Sequence, residues 1–300
     1  GGGGGAAGSV STIDYIQISS LGNAQNFGTL SVTRDQHASC SSEIRGLFAG
    51  GYTYPALTYY NSIEYITIAS QGNAISFGSL VNGARRRMTG DGFSSSTRGI
   101  FYGGFSPTLT PNTINSLEYV QISTLGNSIN FGTLLTYSSF GSSCASPTRG
   151  IISNVFTGSG NTSTIETVTI SSTGNSVSFG NSTVQSRGRG GFSNSVRGIF
   201  GGGDATPSPV FINTIDYVTI ASAGNAIKFG DLTRIIQYVS TASNSIRGVF
   251  AGGYANPTHQ NTIDYVNIAS TGNSQFFGQL TQAKASASAC SDSHGGLGGY

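Results

Sequence analysis

Tryptophan is missing altogether, methionine occurs once, and only 9% of the 300 residues are charged. Ordinary domains carry about 25% charged residues, so the composition argues against an ordinary soluble helical enzyme. A net charge of +2 is too small for non-specific nucleic-acid binding. The apolar runs are only a few residues long, far short of the about 18 needed to cross a bilayer, and no charged-then-apolar signal segment opens the chain. No membrane insertion and no nucleic-acid partner are expected. Cys40, Cys144 and Cys290 are odd in number and widely spaced, which excludes a disulfide framework or zinc knuckle and reads as buried free thiols. His37, His259 and His294 fall in different parts of the chain with no ligand spacing, so neither metal nor cofactor is expected. There is no Gly-x-Ser-x-Gly elbow between strand and helix. The Gly-rich segments 1–5 and 201–203 precede strands, where phosphate loops precede helices. An enzyme is not expected. What is abundant is glycine, 45 residues, with 37% hydrophobic and 10% aromatic content, too much apolar surface for disorder. The chain opens on Gly1 without Met, and we expect a piece of something longer.

The chain repeats itself six times. Ile13-Asp14-Tyr15 returns as Ile63-Glu64-Tyr65, Leu117-Glu118-Tyr119, Ile165-Glu166-Thr167, Ile215-Asp216-Tyr217 and Ile263-Asp264-Tyr265, at intervals of 50, 54, 48, 50 and 48 residues. Each copy runs on into Gly-Asn (Gly22-Asn23 in the first) and then Phe-Gly, at Phe27, Phe77, Phe131, Phe179, Phe229 and Phe277. Between copies stands Arg-Gly, an aliphatic residue, usually Phe, then Gly-Gly, as in Arg45 to Gly51 and Arg247 to Gly253.

Each unit reads as four short strands: one around Cys40, Phe93, Cys144 or Phe192, the Arg-Gly run, the Ile-Asp-Tyr-Val segment, and the strand ending in Phe-Gly. The Gly-Asn pair supplies the turn of a tight hairpin. Six such units predict an all-β, single-domain, six-bladed β-propeller, with repeats near 31–78, 79–132, 133–180, 181–230, 231–278, and 279–300 joined with 1–30. In that arrangement the C-terminal segment supplies strands one and two, and the N-terminal segment strands three and four, of a closing sixth blade, so that no sheet edge is orphaned.

The Gly-Gly doublet followed by an aromatic-bearing strand resembles a kelch repeat, with Phe27 and its counterparts in the place of the usual Trp. Phrases such as NTIDYVTIASAGNAIKFGDL and SIRGVFAGGY resemble repeats of virion structural and tail-fibre proteins of tailed, particularly marine, bacteriophages. That resemblance implies a propeller within an extracellular virion, beside other virion proteins and in a fibre that homo-oligomerises.

Two columns recur along the repeats. Asp14, Glu64, Glu118, Glu166, Asp216 and Asp264 give one acid per unit, and Arg45, Arg98, Arg149, Arg197 and Arg247 one base, with His294 in the sixth slot. One acid matched to one base predicts structural ion pairs rather than a catalytic ring. In an up-and-down blade the second-to-third loops and the fourth-to-next-first connections share one face, and here both vary. Eight of the nine cations outside the Arg column fall on those connections. Tyr54, Tyr59, Tyr60, Arg85, Arg86, Arg87, Arg187, Arg189, Phe211 and His259 are therefore the candidate ligand-binding set. Aromatic rings stack on sugar faces while Arg and Asn bind hydroxyls or acids, so a bacterial surface glycan or receptor is the expected ligand. A purely architectural virion role is the second reading, and a polysaccharide-cleaving tail enzyme the third.

Overall fold

The Ile-Asp-Tyr-Val-Thr type of segment alternates β-branched and aromatic residues with polar ones, and it becomes a strand in each of the six units, as in Ser62–Thr67 and Thr214–Thr219. Ile215, Asp216 and Val218 are all buried there, because both faces of the sheet are covered by neighbouring sheets. The computed structural model describes residues 1–300 except Arg87, Thr89, Ser208, Gly299 and Tyr300. It is all-β, with antiparallel sheets in a propeller arrangement.

Five blades have four strands each, not the expected six. They span 38–79, 92–138, 142–187, 190–231 and 240–279, and are called blades 1 to 5 in that order. In each, the Arg-Gly strand lies between the first and third strands: Cys40 pairs with Leu47, which pairs with Tyr65 on its other side. The sixth position holds only the two-stranded sheet Thr12–Tyr15 and Gln25–Thr29. Its inner place is taken by the strandless segment 287–291, tied to the other end of the chain where the Gly1 amino group donates to the Ser288 carbonyl at 2.7 Å.

The tail does not form the expected second strand. Gly295–Leu297 is a single 3-10 turn capped by His294. It packs against the first-to-second turns of blades 2 to 4, where a Cβ on Gly295 or Gly296 would overlap the carbonyls of Asn194 or Ser94. The Gly-Leu-Gly sequence has nothing to bury on a pleated surface and carries the entropic penalty of glycine, so the tail is a poor strand.

The Gly-Asn pair is not a hairpin turn either. The third strand of the incomplete sheet ends at Tyr15 and the fourth resumes at Gln25. Gly-Asn instead clasps one unit to the next: Asn73 Oδ1 accepts from the Thr29 amide at 3.0 Å, and Asn127, Asn175, Asn225 and Asn273 repeat the contact. Asn23 and Gln279 close the circle at 3.0 Å. The Gly of Phe-Gly is needed because the incoming carbonyl occupies the place of its Cβ, Gly72 over Gly28 and Gly22 over Gly278.

Buried Leu, Ile, Val and Phe between sheets make the core, as in the cluster of Phe192, Ile199, Phe229 and Phe250. Phe27, Phe77, Phe131, Phe179, Phe229 and Phe277 are all buried, five of them edge-on to a Tyr of the third strand. Cys40 and Cys144 are buried free thiols, and Cys290 is half-buried.

Candidate functional site: the loop face

Short hairpins project from the second-to-third connections, including Tyr52–Thr53 with Thr58–Tyr59, Asp204–Ala205 with Val210–Phe211, and Tyr254–Ala255 with Thr258–His259. Each is bridged to the adjoining fourth-to-first connection: Asp35 to Tyr52, Arg86 to Phe105, Ser139 to Phe156, Arg187 to Asp204, and Gln237 to Tyr254. Both variable sets of loops therefore lie on one face.

On that face most of the candidate cations are already engaged. Arg85 is fully buried and ion-paired with Glu118, and Arg189 is fully buried and paired with Asp216 at 2.7 Å. Arg187 reaches Asp204 at 3.1 Å and lies over the Phe156 ring at 4.7 Å. Arg86 is caged by Tyr52, Tyr59 and Phe105, at 4.6, 5.4 and 5.4 Å from the ring centroids, the rings coming from two adjacent loops. Arg87 lies outside the described residues.

The acid column is thus satisfied by the connections, not by the Arg-Gly column. Glu64 pairs with Arg34, Asp264 with Arg234 at 3.2 Å, and Asp14 with Lys284 at 2.9 Å. Glu166 accepts instead from the Leu135 amide and the hydroxyls of Ser176 and Thr136. The expected pairing of the two columns is corrected accordingly. Arg45 donates to the carbonyls of Ile122 and Ser123 in the next blade and stacks on Tyr65. Arg98, Arg149, Arg197 and Arg247 donate to equivalent carbonyls. His294, expected in the sixth slot of that column, stands instead beside Ser41 and Ser94, with Nε2 3.1 Å from the Ser41 carbonyl. Burial brings its pKa down to about 4.

The aromatic candidates divide into exposed and packed. Tyr54 is 53% exposed at a loop tip. Tyr59 is half-buried against Tyr52 and the caged Arg86, and Tyr60 lies under Arg34 with its hydroxyl on Thr53. Phe211 of blade 4 meets Tyr254 of blade 5 edge-on at 6.0 Å, and His259 meets the same ring at 5.4 Å. Partial burial draws the His259 pKa down. The face also carries a buried carboxyl, Asp35, raised to about 6 by burial against a hydrogen bond from Ser9 and the attraction of Arg86.

Two arrangements were not anticipated. Gln36, Phe140, Gly188, Tyr238 and Ser286 occupy one repeat position, all at positive φ, and Phe140 and Tyr238 meet at 5.0 Å. Positive φ at bulky residues is uncommon, and Gly188 was its only trace in the sequence. On the axis, the hydroxyls of Ser94, Ser41, Ser291, Ser243 and Ser193 each donate to the carbonyl of the preceding unit, and Ala145 breaks the circle. The serine column was visible at fixed repeat spacing but carried no chemical signature of its own. Compared with known protein families and with curated proteins, the chain matches none.

Proposed function

We propose that the protein is a non-catalytic binding module that recognises a bacterial surface glycan through its loop face, acting outside the cell in a tailed-phage virion as part of a homo-oligomeric tail fibre. The observation that carries the binding reading is the pair of aromatic groupings, Tyr52-Tyr59-Phe105 around Arg86 and Phe211-Tyr254-His259. Each is built from neighbouring loops on a closed ring of sheets. Rings held rigidly by a scaffold offer stacking surface at little entropic cost. Because Arg85, Arg187 and Arg189 are committed to internal carboxylates, a neutral glycan suits the face better than an anionic one. The phage setting rests on the resemblance of the repeat phrases. A glycan array followed by calorimetry tests the reading. A saturable hit lost in Tyr54→Ala with Tyr59→Ala supports it, and silence across neutral bacterial polysaccharides overturns it.

The apolar loop tips Leu57, Leu109 and Val210 are exposed and favour a second reading, docking onto other virion proteins. Tight binding to another particle component, without any glycan, would establish that role. A polysaccharide-cleaving site would need paired free carboxylates, and Asp35 and Asp204 of this face are engaged by Ser9 and Arg187.

A further inference from the structure

The two ends of the blades differ. The loop face carries hairpins of unequal length. The opposite face is built from the first-to-second and third-to-fourth turns, which share one end of each antiparallel sheet. These turns are as uniform as the loops are varied: 42–44 and 68–74 in blade 1, with the same lengths in blades 2 to 5. Their tips therefore stand at one level around the ring.

That level surface is apolar. The residue before the second-strand Arg is Ile44, Val196 or Ile246 in three of the blades, and the residue that opens the outer strand is an aliphatic in blades 1 to 4, from Ile75 to Ile227. With Leu21, Leu125 and Phe276 this makes ten side chains, each 55 to 66% exposed. Two junctions bring three of them together. Arg45 donates to Ile122 and Ser123, which sets Ile44 beside the turn carrying Leu125, and the Gly126 amide donates to Phe77, two residues beyond Ile75. At the other junction Arg247 on Ile18 and Ser19, with Gly22 on Phe277, assembles Ile246, Leu21 and Phe276 in the same way. Leu21 and Leu125 are both 57% exposed, so the openness belongs to the turn and not to the incomplete sheet. Charge is scarce here: the Arg column is held on carbonyls, Lys228 is paired with Asp231 at 3.0 Å, and the acids are Glu43 and Asp292. The tail turn lies against blades 2 to 4, whose tips include the polar Thr97 and Thr148, and leaves both apolar groups open.

We propose that this turn face is the contact through which two copies of the chain pair back to back about a two-fold axis, leaving both loop faces outward. An aliphatic side chain carries about 60–120 Å² of apolar surface, so ten of them open by slightly more than half offer about 350–700 Å². A stable pair needs about 800 Å² per partner, about 65% of it apolar in homodimers, or about 500 Å². The face supplies that area. A rigid level surface is met over its whole extent by another level surface, and a second copy presents one with the same apolar content and no cluster of like charge, as a two-fold contact requires. The inference rests on the homo-oligomer part of the reading above and is independent of the glycan.

Sedimentation equilibrium of the full chain from about 1 to 100 µM tests this. The expected mass is twice the 30.8 kDa of one chain. Ile44→Asp with Ile246→Asp would bury carboxylates from both copies in the symmetrical contact and should weaken pairing by at least about a hundredfold. Circular dichroism and cooperative unfolding of that variant should stay those of the folded chain. Leu57→Asp with Val210→Asp, on the loop face, should leave the mass doubled. If the turn-face aspartates prevent folding, the milder Leu21→Ser with Leu125→Ser is read instead and should also lower the mass. A mass of one chain, or of three or more, across the whole range overturns the proposal. So does a pair that the turn-face variants leave intact or that the loop-face variant dissolves. A glycan hit on a protein that stays single removes this inference alone and leaves the glycan reading standing.

Discussion

At the scale of single residues, the largest energetic stakes lie in the buried ion pairs. Glu118 and Arg85 are wholly removed from water, and burial pulls the Arg85 pKa down while Glu118 pulls it back up. Removing one partner strands the other, so Glu118→Ala should cost about 3–5 kcal/mol of stability in chemical denaturation. Arg197→Ala removes two hydrogen bonds to carbonyls and a ring contact at a half-exposed site. Its expected cost is smaller, about 1–3 kcal/mol, read as a lowered melting temperature with ligand binding intact. Asp35 gives a pH signature. Its folded pKa, about 6, lies above the ordinary carboxyl value of 3.8, so the folded state holds the proton more tightly and stability falls as pH rises from about 4 to 6. Asp35→Asn should flatten that stretch of the profile, and an unchanged slope would refute the assignment.

At the scale of elements, the sequence announced the strands but not their partners. Repeating Ile-Asp-Tyr and Arg-Gly runs carry β-branched residues in a period that only a sheet accommodates, but the six repeats counted there give five four-stranded blades, not six. The ion-pair partners were not readable, since which guanidinium passes over Glu64 or Asp216 depends on the path of a connection rather than on the strand. Gly-Asn misled for a physical reason: the pair suits a tight turn, yet here it needs a slender backbone to enter the next unit. Gly132→Ala should push the Gly174 carbonyl out of its clasp and cost about 1–3 kcal/mol, measurable as a drop in melting temperature. The tail turn offers a further test. His294 has a folded pKa of about 4 against an ordinary 6.5, so its contribution is complete above pH 6.5 and is lost as pH falls toward 4. His294→Gln should unfold with a shallower dependence between pH 7 and 5.

At the scale of the whole molecule, the ring is continuous on its rim, interrupted on its axis only at Ala145, and thin at one sector. Asn23 and Gln279 close the outer clasps, and Ser291 continues the inner hydroxyl chain through the unit that has only two strands. Local opening is cheapest where backbone hydrogen bonds face water. Amides of residues 13–18 should therefore exchange faster than those of residues 215–220, and equal protection would show that the sector is filled. The candidate ligand face was readable only as a region: loop lengths placed it, but nothing in the sequence distinguished the caged Arg86 from the fully buried Arg85.

The axial hydroxyls all point the same way around the circle, so the molecule has a rotational sense at its centre as well as at its rim. Ala145 is where that one-way traffic begins and ends, and the tail rests over the carbonyl of Ser94, the terminus left uncapped. A hydroxyl at position 145 would turn an open relay into an endless loop and compete with the tail for that oxygen.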